Sequence, residues 1–226
     1  TRLGTVIAQD GASVGGIEHL MAAVAGAGID DLIVTLDGPE PPILDGAALS
    51  YFRLLEEAGT KEQAGARRAI KVTKPVGIAI KDATIRLLPS SQPEYRYDLD
   101  YSNTKAIGKQ TYTMTFNRGA FADEIAPART FGFMHELDAL NRMGLGRGAS
   151  LENTLAIDGD AVINKSLMRF EDEFVRHKIL DAIGDMALAG GPLIARFEGV
   201  KSGHATNNAV LRALFADAGN YTVVEI

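Results

Sequence analysis

The chain carries four histidines and no cysteine in 226 residues. Any metal it binds must therefore be held by imidazole and carboxylate groups, and cysteine nucleophiles and disulfide frameworks are absent. His177 and Asp181 stand four residues apart in a helical pattern, which puts both side chains on one face about a turn apart. Asp185 extends that polar stripe by another turn, against the apolar positions Ile179, Leu180, Ile183 and Met186. Taken alone, a pair of this spacing is more often a surface ion pair or a helix-solvating stripe than a pair of metal ligands. Joined by His19, it makes a His₂-carboxylate set with three protein ligands and a position open for water, which is what a hydrolytic metal requires.

Two further groups could move protons beside such a site. Glu18 directly precedes His19 near a helix start. It reads either as a carboxylate favoured by the helix dipole or as a general base for a metal-bound water. His204, in Lys201-Ser202-Gly203-His204, falls where a strand hands over to a helix, a place where backbone N–H groups and side chains converge on ligands. By itself a histidine there is more often a cap or loop residue. His135 has no partner at a telling spacing and is assigned to the surface.

The elements that must position these residues follow from patterning. Leu3 to Ala8 suits a short strand, Ile17 to Ala27 a helix ended by Gly28, and Leu32 to Leu36 a buried strand. After a Pro-rich stretch, Ala47 to Ala58 reads as a helix closed by Gly59, and the polar run Thr60 to Arg68 as a linker. Ile70 to Ile80, Thr84 to Leu88, Glu94 to Tyr101 and Gln110 to Phe116 alternate and are rich in β-branched and aromatic residues, predicting an antiparallel sheet with a turn at Lys81-Asp82. Met134 to Met143 reads as a helix followed by a glycine-rich loop. Glu171 to Ala189 is the strongest helix, with Glu171, Asp172 and Glu173 in its first turn.

An internal echo links the two histidine helices. A helix ending at Gly28, a strand closing in Asp37-Gly38 and a helix running to Gly59 are matched by a helix ending at Gly190, a strand closing in Glu198-Gly199 and a helix running to Gly219. His19 lies nine residues before Gly28, and Asp181 nine before Gly190. If the halves pack about a pseudo-twofold axis, these positions face each other across it. The echo fits either a duplicated unit or ordinary punctuation of α+β structure by glycine.

Composition bounds the function classes. With Lys+Arg 23 against Asp+Glu 29, the net charge of -6 argues against a broad nucleic-acid face, and no basic run exceeds Arg67-Arg68. The longest apolar runs fall short of the roughly 20 residues that span a bilayer, and the N-terminus has no charged-then-apolar signal pattern. We therefore expect a cytoplasmic protein with no integral membrane segment.

Five segments together resemble the UDP-3-O-acyl-N-acetylglucosamine deacetylase family, LpxC. They are Ile17-Glu18-His19-Leu20, Pro42-Ile43-Leu44-Asp45-Gly46, Ala128-Arg129-Thr130-Phe131-Gly132-Phe133, the run from Arg169 through His177-Lys178 and Asp181 to Asp185, and Lys201-Ser202-Gly203-His204-Ala205. They occur in family order over nearly the whole chain, and the run ending at Asp185 is highly specific.

The resemblance implies a zinc hydrolase that removes the N-acetyl group in lipid A biosynthesis, with His19, His177 and Asp181 as ligands and a small UDP-sugar lipid as substrate. It implies Glu18 as general base, His204 as the protonated partner that donates to the leaving amine, and Asp185 as its orienting carboxylate. Thr130 would polarise the acetyl carbonyl. Lys178 would add positive charge near the substrate, Phe131 would contact it, and Lys201 would suit the diphosphate. An acyl passage is expected around Met134, Leu137, Leu140, Met143 and the loop Gly144 to Ser150. Without the resemblance that stripe reads as helix core.

The fold implied is α+β, with two similar two-layer sheet-plus-helix domains, helices facing each other and the metal site between them. The first domain would occupy residues 1–63 in truncated form. A linker would cover 64–68, and a second domain 69–226 would carry the acyl-passage insert around 130–165. The family pattern has a further segment ahead of Thr1, so we expect either a fragment or a homo-oligomer in which a partner copy completes the first sheet. Two other readings stay open at this point. One is a non-catalytic homologue that keeps the fold. The other is a metal hydrolase of another acylated amine, since a His₂-carboxylate set suits several chemistries and also accepts ferrous iron.

Overall fold

The structure, a computed structural model, describes residues 4–142, 146 and 148–226, and of Asp138, Leu140 and Asn141 the backbone alone. Strands β1 (Ile7–Gln9) and β2 (Ala12–Val14) form a hairpin. Its two turn residues, Asp10 at φ 52° and Gly11 at φ 84°, supply the pair of positive φ angles that a tight two-residue hairpin turn demands. Helix α1 (Glu18–Ala27) follows and stops at Gly28. The N–H of Gly28 bonds to the Ala25 carbonyl and that of Ile29 to the Val24 carbonyl, a Schellman closure that satisfies the last turn. Helix α2 (Leu49–Ala58) ends at Gly59, after which 60–67 are irregular and exposed.

The remaining strands are β3 (Arg68–Val72), β4 (Val76–Ile80), β5 (Ala83–Leu88), β6 (Glu94–Tyr101) and β7 (Gly108–Thr115). A short turn of helix, α3 (Arg118–Ala120), runs into a wider turn over Phe121–Ile125. Then come β8 (Phe131–Phe133), α4 (Met134–Arg142), β9 (Leu155–Asp158), β10 (Ala161–Val162) and α5 (Glu173–Met186). The chain closes with β11 (Leu193–Ile194), β12 (Arg196–Val200), α6 (His204–Phe215) and β13 (Tyr221–Glu225).

The main sheet has the order β4-β5-β12-β6-β7 and is antiparallel except where β12 runs parallel to β6. Its inward residues Ile85, Leu87, Tyr95, Tyr97, Leu99 and Phe197 join Val175, Ile179 and Ile183 of α5 in one core. Because α5 is buried on nearly every side, it acts as the central helix, and α1 packs across it. That crossing is close. A Cβ on Gly184 would lie 2.0 Å from the Glu18 carbonyl oxygen, so only glycine lets the two backbones approach this far.

The α+β class holds, and helices from the two halves face each other. Three expectations change in detail. The strand expected over Leu3 to Ala8 starts only at Ile7, where the chain enters the hairpin with β2. The single strand at Ile70 to Ile80 is two strands in different sheets: β3 pairs with β11 and β13, and β4 pairs with β5. Pro75 lies between them and has no N–H to continue a ladder. The buried strand expected at Leu32 to Leu36 is extended, irregular and open to solvent, with Ile33 93% exposed. Among the described residues no strand lies against it, and an apolar run without a backbone partner forms no ladder. The echo between the halves therefore holds for the helices and fails for that strand. Thr1, Leu3, Met143 and Gly144 lie outside the described residues, as does the Leu140 side chain. No described helix is long and apolar enough to cross a membrane.

Candidate metal centre

The α1/α5 crossing brings three ligand-type side chains together. Asp181 Oδ1 lies 3.3 Å from His177 Nε2 and 3.6 Å from His19 Nε2. The two imidazoles meet edge to face with ring centres 5.0 Å apart. His177 sits one turn before Asp181 on α5 and is 2% exposed, while His19 reaches across from the first turn of α1.

The protonation of His177 can be read from its partner. Its Nδ1 lies 3.1 Å from the Ala128 carbonyl, which can only accept, so Nδ1 carries the proton. Burial pushes this imidazole down to about 3, against the upward pull of Asp181, so the ring is neutral and Nε2 presents a lone pair. A lone pair on nitrogen and a carboxylate oxygen thus face each other at 3.3 Å with no proton between them. That arrangement is repulsive unless a cation fills the gap.

The spacing suits one. Ligands about 2.0–2.1 Å from a tetrahedral ion stand about 3.3–3.4 Å from one another, close to both separations here. The ligand atoms of His19, His177 and Asp181 all fall within 4.8 Å of each other. Burial raises the Asp181 carboxyl, but the Lys178 ammonium and the neighbouring imidazoles of His177, His19 and His204 outweigh it and hold the group well below the usual carboxylate range. Lys178 Nζ donates to Asp181 Oδ2 at 2.8 Å, leaving Oδ1 to face the two imidazoles.

A second group of polar side chains lies against this cluster. His204, the first residue of α6, donates from Nδ1 to Asp185 Oδ2 at 2.9 Å. Its Nε2 faces Glu18 Oε1 at 3.9 Å and Asp181 Oδ2 at 4.0 Å. Burial lowers its affinity for a proton, but the Asp185 hydrogen bond and the charges of Asp181, Asp185 and Glu18 prevail and push it up to about 9. The ring is an imidazolium at neutral pH, with its Nε2 proton facing the site. Asp185 also accepts from Asn207 Nδ2 at 2.7 Å and from the Thr5 hydroxyl, while the Thr5 backbone N–H donates to Glu18 Oε2 at 2.8 Å.

The loop before β8 is clamped to the start of α5. Arg129 and Glu173 form a buried ion pair at 3.0 Å, and Glu173 also accepts from the backbone N–H groups of Arg129 and Arg169. This pair fixes the loop whose Ala128 carbonyl orients His177. The same loop meets the first half at Gly46, whose carbonyl accepts from the Thr130 N–H at 2.8 Å. Gly46 has a φ of 77°, and a Cβ there would stand 1.7 Å from the Asn153 carbonyl oxygen.

The other expected site residues divide. Phe131 packs edge-on to Phe174, its ring centre is 6.2 Å from that of His177, and Lys178 Nζ lies 5.3 Å over it. Tyr101 continues this aromatic wall to Phe133. Thr130 is half-buried, two residues after the Ala128 whose carbonyl meets His177, and its backbone bonds to Gly46 and Leu155. Met134 and Leu137 are exposed on α4, and Ser150 is exposed in a loop where its N–H bonds to Asn153. Lys201, in a left-handed turn at φ 50°, pairs with Asp82 and Asp100. His135 is exposed and stacks on Phe133. Sequence reasoning misses Thr5, Asn207, Gly184 and the Arg129–Glu173 pair as site residues. Only Asn207, three residues after His204 and on the same helical face, carries a readable signal.

Comparison with known proteins assigns the chain to a family. A family model described as UDP-3-O-acyl N-acetylglycosamine deacetylase matches residues 1–216. A UDP-3-O-acyl-N-acetylglucosamine deacetylase of Phenylobacterium zucineum is 48% identical over 217 residues, covering 96% of this chain and 74% of the relative. Proteins of the same description from a Nitratiruptor species and from Campylobacter fetus subsp. fetus are 42% and 41% identical across 100% of the chain and 75% and 76% of their own lengths. The chain belongs to the UDP-3-O-acyl N-acetylglycosamine deacetylase family, LpxC.

Proposed function

We propose that this chain hydrolyses the N-acetyl group of UDP-3-O-acyl-N-acetylglucosamine to acetate and the free amine, in lipid A biosynthesis, using zinc held by His19, His177 and Asp181. The observation that carries the reading is the convergence of His19 Nε2, His177 Nε2 and Asp181 Oδ1 at one point, with His204 beside them. When bound, a divalent ion supplies Lewis acidity toward water and the amide carbonyl.

The chain's own residues supply the proton chemistry. Glu18 Oε2 is occupied by the Thr5 N–H, which leaves Oε1 to take a proton from water. His204 Nε2 gives a proton to the leaving nitrogen, and Asp185 holds the imidazolium in place through Nδ1. Thr130 donates its hydroxyl proton toward the acetyl oxygen. Lys178 holds Asp181 Oδ2, so that Oδ1 would remain for the ion, and adds positive charge over Phe131, on which the substrate packs.

Farther out, Lys201 takes the diphosphate in competition with Asp82 and Asp100. Met134, Leu137 and Ser150 border the acyl chain. The site lies where a unit of 1–63 meets one of 69–226, and a nucleotide-linked substrate fits a cytoplasmic enzyme. The test is acetate release from UDP-3-O-acyl-N-acetylglucosamine with and without a chelator. Turnover should vanish with the chelator and return with zinc. Turnover indifferent to chelation would refute the reading.

A further inference from the structure

Thr5 commits every hydrogen-bonding group it has to the two proton-handling carboxylates and the helix that carries one of them. Its N–H donates to Glu18 Oε2 at 2.8 Å, its carbonyl accepts from the Ile17 N–H at 3.4 Å, and its hydroxyl donates to Asp185 Oδ1 at 2.5 Å. The two carboxylates come from opposite halves of the chain, 13 and 180 residues away. The residue is 8% exposed, and the two backbone bonds stitch it to the start of α1 whatever its side chain. A Cβ on the preceding Gly4 would lie 3.0 Å from Glu18 Oε1, so the Gly4-Thr5 segment wraps the carboxylate on both sides.

The hydroxyl has a separate consequence. Asp185 is 2% exposed, and its Oδ2 already accepts from His204 Nδ1 and Asn207 Nδ2. Holding Oδ1 as well stops the carboxylate from rotating, and this fixes the imidazole plane of His204. We propose that Thr5 is the positioning residue that aligns Glu18 with His204, so that proton acceptor and donor face one reacting amide. This assignment rests on the deacetylase reading above.

The neighbourhood provides a discriminating test. Thr5 lines an open cleft of about 310 Å³ together with Val6, His204, Ala205, Asn208 and Arg212, so solvent stands next to it. Thr5→Val keeps shape and volume but presents a methyl to Asp185 Oδ1 and excludes water. Thr5→Ala opens room for a water from the cleft to replace the hydroxyl. Thr5→Ser keeps the hydroxyl. A hydrogen-bonding role therefore orders the variants as Ser, then Ala, then Val, whereas a packing role reverses Ala and Val.

The experiment measures kcat and KM on UDP-3-O-acyl-N-acetylglucosamine per zinc-loaded molecule. It also follows the His204 Nδ1–H proton resonance in the zinc-free protein. Expected are a kcat lower by about tenfold or more in Thr5→Val with KM within about twofold, a smaller loss in Thr5→Ala, and near wild-type rate in Thr5→Ser. The His204 resonance should move in the Val and Ala variants and stay in Ser. A wild-type kcat in Thr5→Val, or Ala worse than Val, would overturn the assignment. Should Thr5→Val not fold, an unmoved resonance in Thr5→Ala does the same. A wild-type chain without turnover would instead sink the deacetylase reading itself.

Discussion

His204 and Asp181 make opposite predictions although they lie within 4.0 Å of each other. Asp181→Ala should lose bound metal, because it removes the one carboxylate of the three-residue cluster. His204→Ala should keep the metal and lose on the order of 10²–10⁴ in kcat, the usual contribution of a proton donor. Metal analysis beside steady-state rates separates them, and full activity in both would place the site elsewhere.

The pH response follows from the raised affinity of His204 for its proton. In the metal-free protein its ring should titrate near 9, above the ordinary value of 6.5. Its contribution to stability is then complete below about 6.5 and lost as pH rises through about 9. A divalent ion held at Asp181 would repel the imidazolium and move its titration down, so the alkaline fall in rate should come at or below pH 9. Ring NMR with and without zinc checks both, and a metal-free value at or under 6.5 would contradict the account. Part of the candidate cluster is legible in sequence, since His177 and Asp181 share a helix face. Thr5 is not, because its role arises only when residues 180 apart in the chain meet.

At the scale of elements, the site depends on how closely α1 approaches α5. Gly184 is the contact point, since any side chain there collides with the Glu18 backbone. Gly184→Ala should destabilise the fold by roughly 1–3 kcal/mol, the usual cost of overpacking, and weaken metal binding by drawing His19 from Asp181. Denaturant unfolding and metal titration test this, and a variant of unchanged stability and affinity would show that the helices have slack. Helix α5 is readable because its acids, apolar stripe and closing glycine agree. The run at Leu32 to Leu36 misleads because local pattern reports β-tendency but not whether a neighbouring strand exists to pair with it. Pro75, by contrast, is visible in the Ile70 to Ile80 run and marks where it divides.

Across the whole molecule, side chains from distant segments converge on one point. The first half contributes Glu18 and His19, the loop before β8 contributes the carbonyl that orients His177, and α5 and α6 contribute the remainder. The echo between the halves foretells that His19 and Asp181 face each other, and they lie 3.6 Å apart. The clamps that make this possible, Arg129 with Glu173 and Gly46 with Thr130, leave no signature of spacing because they join distant segments. The most direct test is anomalous diffraction at the zinc edge from crystals of the zinc-loaded protein. One dominant peak is expected within bonding distance of His19 Nε2, His177 Nε2 and Asp181 Oδ1. A peak elsewhere, or none at that cluster, would contradict it.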